Sequence, residues 1–258
     1  MTTLTSIIDA LEPIGEDAWR GHIPDNWLQG RTAYGGLSSA LALHAAQHSD
    51  ADLPPLRSAL VAFIGPLSGA VTITATRLRR GRNAAFVQAD VTSDAGLGLR
   101  ATFVFMGAVP SMLDHATGER PDFPRPGPDD RTYRGTAQVP FTQNFELVDK
   151  RDGGDPAEWL RWVRLADRDG LDPMVELIAV ADCLPPAALK LVGRPVPLSS
   201  MTWQLNLLGP APRTEDGWWL LRARTDYARE GSSSQSMAIW NAAGEPVAEQ
   251  MQSVAIFG

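Results

Sequence analysis

Asp182 lies within LIAVADCLPPA, an otherwise apolar stretch. A carboxylate in such surroundings loses hydration, so its pKa should rise until it can take a proton near neutral pH. The same residue stands just before Pro185 and Pro186 and could instead cap a turn or face solvent at a helix end. Gly35 and Gly36 open the run GGLSSALALHAAQ. Main-chain N–H groups at a helix start donate to developing negative charge, and the missing Cβ lets a reacting carbonyl come close. These glycines could equally serve only as a helix start. Arg79, Arg80, Gly81 and Arg82 make a basic turn whose guanidinium groups suit phosphate oxygens, although a solvated loop has the same composition.

Other chemistries find little support. The single cysteine, Cys183, excludes an intrachain disulfide framework and a multi-thiolate zinc site, and without a basic neighbour it reads as a small buried hydrophobe. Of the four histidines, His22, His44, His48 and His115, only His44 and His48 share a helical face, and the intervening AAQ lacks the glutamate of a zinc-protease motif. No metal and no dissociable cofactor is expected. No G-x-S-x-G elbow occurs, which disfavours a serine acyl-enzyme. The formal net charge of −7 argues against nucleic acid as a partner. The N-terminus lacks the parts of a secretory signal, and the longest apolar stretch, Pro173 to Val192, is broken by Glu176, Asp182, Pro185 and Pro186. A cytoplasmic protein that does not enter a membrane is the expectation.

These residues need elements to hold them. Leu37, Ala40, Leu41 and Leu43 leave hardly any polar face, so the run after Gly35 predicts a buried helix. Four strands follow, LRSALVAFI, VTITATRLRR, AAFVQADVT and LRATFVFM, with a hairpin turn at Ser93 to Gly96. Between Val109 and Gln138 proline dominates and apolar periodicity vanishes, which reads as a linker. The order then recurs: a strand WLRWVRLAD, one helix from about Pro173 to Ala188, and strands near SSMTWQLNLL, WWLLRARTDY, SQSMAIWN and PVAEQMQSVAIF. A second turn, Asn241 to Gly244, matches the first in its setting. The expected class is α+β, two antiparallel sheets each wrapped around a helix and joined into one continuous sheet, with units at 1–108 and 139–258 and a linker at 109–138.

Trp27, Gly35-Gly36, LRSALVAFIGPL and RLRRGRNAAFVQADV resemble the N-terminal hotdog of type II acyl-CoA thioesterases. WLRWVRLAD, LIAVADCLPPA, PVPLSSMTWQLNL and VAEQMQSVAI are similar to the catalytic hotdog of the wider thioesterase-like superfamily. The resemblance covers nearly the whole chain outside the linker. It implies a double hotdog that hydrolyses an acyl-CoA to free acid and CoA, works without a cofactor, and assembles as a homodimer. It implies further that Asp182, Ser200 and Gln252 hold the attacking water, with Ser200 standing where better-known members have Thr. Trp27, Gly35, Gly36 and Arg82 are the expected substrate-binding residues. A non-catalytic acyl-CoA-binding protein on this fold is the alternative, and a hotdog hydratase or dehydratase a third; the latter would want a catalytic His, and the second half has none.

Overall fold

The computed structural model describes residues 1–116, 118–149, 154–194 and 196–257. A short helix α1 (Leu4–Asp9) leads into β1 (Glu12–Gly15), β2 (Ala18–Ile23), a small ribbon of β3 (Leu28–Gln29) and β4 (Thr32–Ala33), and the helix α2 (Gly35–His48). Four long strands follow: β5 (Leu56–Phe63), β6 (Gly69–Arg80), β7 (Ala84–Ser93) and β8 (Gly96–Met106). The second half contains β9 (Phe145–Asp149), β10 (Glu158–Leu165), α3 (Pro173–Ala181), α4 (Ala188–Val192), β11 (Leu198–Leu207), β12 (Trp219–Arg229), β13 (Ser232–Asn241) and β14 (Pro246–Ile256).

Twelve strands form one antiparallel sheet in the order β1-β2-β6-β7-β8-β5-β11-β14-β13-β12-β10-β9. Read outward from the middle, β5-β8-β7-β6-β2-β1 mirrors β11-β14-β13-β12-β10-β9, so the two halves share one topology. The seam is the β5–β11 pair, where Ala62, Val61, Leu60, Ala59 and Ser58 stand opposite Thr202, Trp203, Gln204, Leu205 and Asn206. Pairing these two strands leaves no free edge in the middle of the molecule.

Alternation decides which face each strand buries. In β6, Val71, Ile73 and Ala75 are buried while Thr74 and Thr76 are exposed. The apolar face closes over α2, which packs on β6, β7 and β8 and against α3. Burial on almost every side explains why α2 carries so little polar surface. The Tyr34 hydroxyl, just ahead of α2, donates to the Ala179 carbonyl of α3 at 2.7 Å and ties the helices together.

The structure corrects one sequence expectation and adds detail to another. The helix predicted over Pro173 to Ala188 stops at Ala181, and α4 begins only at Ala188. Pro185 and Pro186 supply no N–H and push the preceding backbone out of helical geometry, so Asp182 becomes the C-cap of α3. Among its described residues the proline-rich segment forms no helix or strand apart from a bridge between Tyr133 and Leu147, yet it is packed against the second half. Phe123 meets Trp162 edge-on at 6.3 Å and joins an apolar cluster of Val148, Trp162, Trp218, Leu220, Ala238 and Trp240 on the sheet face away from the helices. Arg125 fixes the same segment through Asp216 at 3.0 Å.

Tyr34→Phe removes the only donor in the tie between Tyr34 and Ala179 while keeping the ring. It is expected to lower stability by about 1 kcal/mol, seen as a lower urea midpoint at unchanged slope; an unaltered midpoint would contradict the importance given to this tie.

Candidate active site

The two helices run antiparallel, and the C-terminal end of α3 delivers Asp182 to the N-terminal end of α2. At its own start α3 has a cap, since the Asp172 carboxylate accepts from the N–H groups of Met174 and Val175. In contrast α2 follows Tyr34, whose side chain makes no capping hydrogen bond. Asp182 fills that role from outside: the Gly36 N–H donates to its carboxylate. Space there is tight. A Cβ on Gly35 would lie 2.6 Å from Asp182 Oδ2 and 2.9 Å from the Phe63 ring, and one on Gly36 would lie 2.5 Å from the Tyr34 hydroxyl and 2.6 Å from the Ala179 carbonyl. At Gly36 the Ala179 main-chain carbonyl excludes a methyl group, and at Gly35 a methyl group would have to displace the Asp182 carboxylate and the Phe63 ring.

Gln252 reaches the same carboxylate from β14, its Nε2 donating to Asp182 Oδ1 at 2.9 Å. Behind it stands Gln235, the cross-strand partner of Gln252 on β13, whose Nε2 donates to Gln252 Oε1 at 2.7 Å. Gln235 Oε1 in turn accepts the Ala187 N–H at 3.1 Å. Both amides are buried among apolar side chains. Three opposed influences act on Asp182: desolvation raises its pKa, while the hydrogen bonds from Gln252 and Gly36 lower it. Desolvation wins, and the pKa settles at about 7. The residue as a whole is half-buried, while its carboxyl group is enclosed by the two helix ends and β14.

Of the residues singled out from sequence, Asp182, Gln252, Gly35 and Gly36 converge here. Ser200 is half-buried on β11 opposite Val254, beside an irregularity between Ser200 and Thr202, and among the described residues it is not hydrogen-bonded to Asp182 or Gln252. Trp27 is elsewhere. It is buried, stacks on Tyr34 at 6.3 Å, meets Phe145 edge-on and donates its Nε1 to the Thr2 carbonyl, so it anchors the segment that enters α2. Arg82 is exposed in the β6–β7 turn, next to the strand end that pairs toward Leu56, whereas the site adjoins Phe63 at the other end of β5. Seven residues of strand separate those levels, roughly 20 Å, and the structure does not bring Arg82 to the carboxylate.

Gln235 was not singled out by the sequence reading, and neither was Ser233. The latter has a fully buried hydroxyl without a hydrogen-bond partner among the described residues and stands across from Val254, one step along the same face as Gln235. The run Ser232 to Ser236, polar at every position inside a strand, was the available signal. Cys183 is buried with its thiol pKa pushed up by desolvation, as befits an inert side chain. The His44 ring lies tilted against that of His48 with centroids 4.1 Å apart, and burial brings its pKa down to about 4. Among the described residues no group of His, Cys, Asp and Glu could hold a metal ion. A groove of about 440 Å³ touches Gln252 and Trp203 but is bounded by Leu60, Thr102, Gln204 and Met251. Those four form one cross-strand row that alternates with the buried row, so the groove lies on the face away from the helices and from Asp182.

A twelve-stranded sheet built from two like halves, each closing on a helix, with the helix ends meeting at a buried carboxylate, defines a double-hotdog protein. The chain belongs to the acyl-CoA thioesterase family, whose N-terminal domain matches residues 23–106 and whose C-terminal domain matches residues 117–256. Solved structures agree in fold. A protein of unknown function with a hotdog fold from Alicyclobacillus acidocaldarius is 24% identical, with a TM-score of 0.87 over 100% of this chain and 99% of that one. An acyl-CoA thioesterase II from Mycobacterium marinum is 18% identical, with a TM-score of 0.79 over 99% and 98% of the two chains. The TesB protein of Mycobacterium avium subspecies paratuberculosis is 19% identical, with a TM-score of 0.77 over 99% and 98%. No curated protein matches the chain significantly. Among the described residues no helix is long and apolar enough to cross a membrane.

The raised pKa of Asp182 has a consequence for stability. The folded value of about 7 exceeds the ordinary 3.8, so the fold favours the protonated acid. The resulting stabilisation is complete below the ordinary value and is lost as pH rises through the folded one. Asp182→Asn, which stays neutral, should therefore melt at a higher temperature than the parent at about pH 8, with the gap closing toward about pH 4. Equal melting temperatures at both ends would show that the carboxylate is not held against its own ionisation.

Proposed function

We propose that the chain hydrolyses acyl-CoA thioesters by direct attack of a water on the thioester carbonyl, with Asp182 as the general base. The observation that carries this reading is a desolvated carboxylate with a pKa of about 7, held by Gln252 at the start of a helix made close to its neighbours by two glycines. An ionised carboxylate offers about four acceptor sites. Gln252 and Gly36 occupy two of them and leave room for a water to donate its proton to the base. Gln252 has a second N–H with which to orient that water, and Ser200, opposite Val254 two residues along β14, has a hydroxyl that could help from the same face. Because the Gly36 N–H already serves Asp182, the negative charge that develops on the carbonyl oxygen would be met by the first N–H of α2, at Gly35, in line with the helix dipole. Attack yields a tetrahedral intermediate, and collapse expels CoA as its thiolate or thiol, with the proton held on Asp182 available to the leaving sulfur.

On this reading kcat/KM falls below about pH 7, where the base becomes protonated. Asp182→Asn should lower kcat roughly a hundred- to ten-thousand-fold, with little change in KM, and should abolish the acidic limb. Thiol release from a panel of acyl-CoAs across pH measures this, and near-normal turnover by Asp182→Asn on the best substrate would remove Asp182 from the reaction. We further propose a homodimer, since Leu60 and Met251 stay 53% and 58% exposed on the face away from the helices. Light scattering that returns the single-chain mass of 27.9 kDa at micromolar concentration would refute it.

A further inference from the structure

We propose that Gln235 is a positioning residue whose amide, oriented by the main-chain N–H of Ala187, fixes which end of Gln252 meets Asp182. The inference rests on the reading of Asp182 as the base but is argued from hydrogen-bond polarity. A side-chain amide can turn end for end, so by itself Gln252 could offer Asp182 either its NH₂ or its oxygen. A backbone N–H has no such freedom, because it can only donate. The Ala187 N–H lies 3.1 Å from Gln235 Oε1, which forces the oxygen end of Gln235 toward it. The NH₂ end of Gln235 then faces Gln252 at 2.7 Å, where only an oxygen satisfies it. Gln252 is left with its NH₂ toward Asp182 Oδ1 at 2.9 Å. Gln235 is 0% and Gln252 2% exposed, so water does not compensate for a wrongly turned amide.

The chain of donors therefore points one way, from the main chain of the α3–α4 turn to the carboxylate. Its effect is to favour the ionised form of Asp182 against the desolvation that opposes it. The titratable groups around Asp182 are Tyr34, ahead of α2, and Cys183, its chain neighbour; burial raises the pKa of both, so both are neutral at pH 7. Arg161 of β10 acts on Cys183. The amides that set the polarity do not titrate, so the direction of the relay holds across the working pH range.

Gln235→Met keeps the volume and removes the polarity. Gln252 can then turn its oxygen toward Asp182, which favours the protonated acid. Ala187→Pro reaches the same point from the other end: it deletes the N–H at a residue whose φ of −66° already suits proline. In parent and variants, the Asp182 carboxyl is titrated by NMR with ¹³C-labelled aspartate, its signal assigned by loss in Asp182→Asn, and kcat/KM is followed across pH in parallel. The expected result is a pKa of Asp182 higher by about one unit in Gln235→Met, a shift of the same sign in Ala187→Pro, and no further shift on combining them. Rates should fall near neutral pH and recover in alkali as Asp182 ionises. Should Gln235→Met fail to fold, Ala187→Pro decides alone. An Asp182 titration unchanged in the folded variants overturns the proposal. If the titration shifts while the pH–rate profile stays where it was, the relay stands and Asp182 is not the base.

Discussion

The arrangement depends on one contact, that between the carboxylate of Asp182 and the uncapped start of α2. A helix N-terminus with no side chain of its own to cap it presents free N–H groups and a positive dipole end, and it must find an acceptor. That acceptor comes from the far end of the neighbouring helix. The contact explains why Gly35 and Gly36 have no side chain and why α3 must stop at Ala181. It also explains why Tyr34 crosses to the Ala179 carbonyl, since the helix ends have to be held in register for the contact to exist.

Burial and hydrogen bonding pull this carboxylate in opposite directions, and neither alone would place it near neutrality. Two full-strength donors to an exposed aspartate would leave it a weak base, and burial without donors would keep it protonated. The polar ladder through Gln252 and Gln235 supplies the compensating donors from strands already pinned by main-chain pairing on both sides. Rigid strands fix the distances more closely than loops would.

Much of the fold was legible because it follows from short-range rules. The alternation of Val71, Ile73 and Ala75, the all-round apolar α2 and the turns at Gly96 and Gly244, where φ is +100° and +87°, declare themselves locally. The strands β1 and β9 and the helix α1 did not, being four to six residues long and, in β1, exposed throughout, so no period could develop. The same limit hid the packing of the proline-rich segment, because Phe123 gains its place only from Trp162 in the folded sheet. At the site, Asp182 stood out as a charge in an apolar stretch, and the resemblance supplied Gln252. Gln235 could not be found, since its role comes from lying across from Gln252 on a neighbouring strand and beneath the Ala187 N–H. Arg82 was picked out by composition alone, and only register shows that it stands at the far end of β5 from the carboxylate.

The β5–β11 seam turns on the opposed pair Leu60 and Gln204, and a rotation about that point exchanges the halves. It carries Trp203, Gln252 and Gln235, which stand in one row, onto Ala59, Phe103 and Val87, which stand in another. The first row is a polar ladder, and the second is closed apolar core with Phe103 and Val87 at 0% exposure. The helix ends differ likewise, for α3 begins with a proline and its own aspartate cap where α2 begins with bare glycines. A pair of identical subunits could not hold this difference, because symmetry would repeat every residue in both places. Joining the halves in one chain released them from that rule, so that one of two equivalent rows could be apolar core while the other carries the amides that meet Asp182.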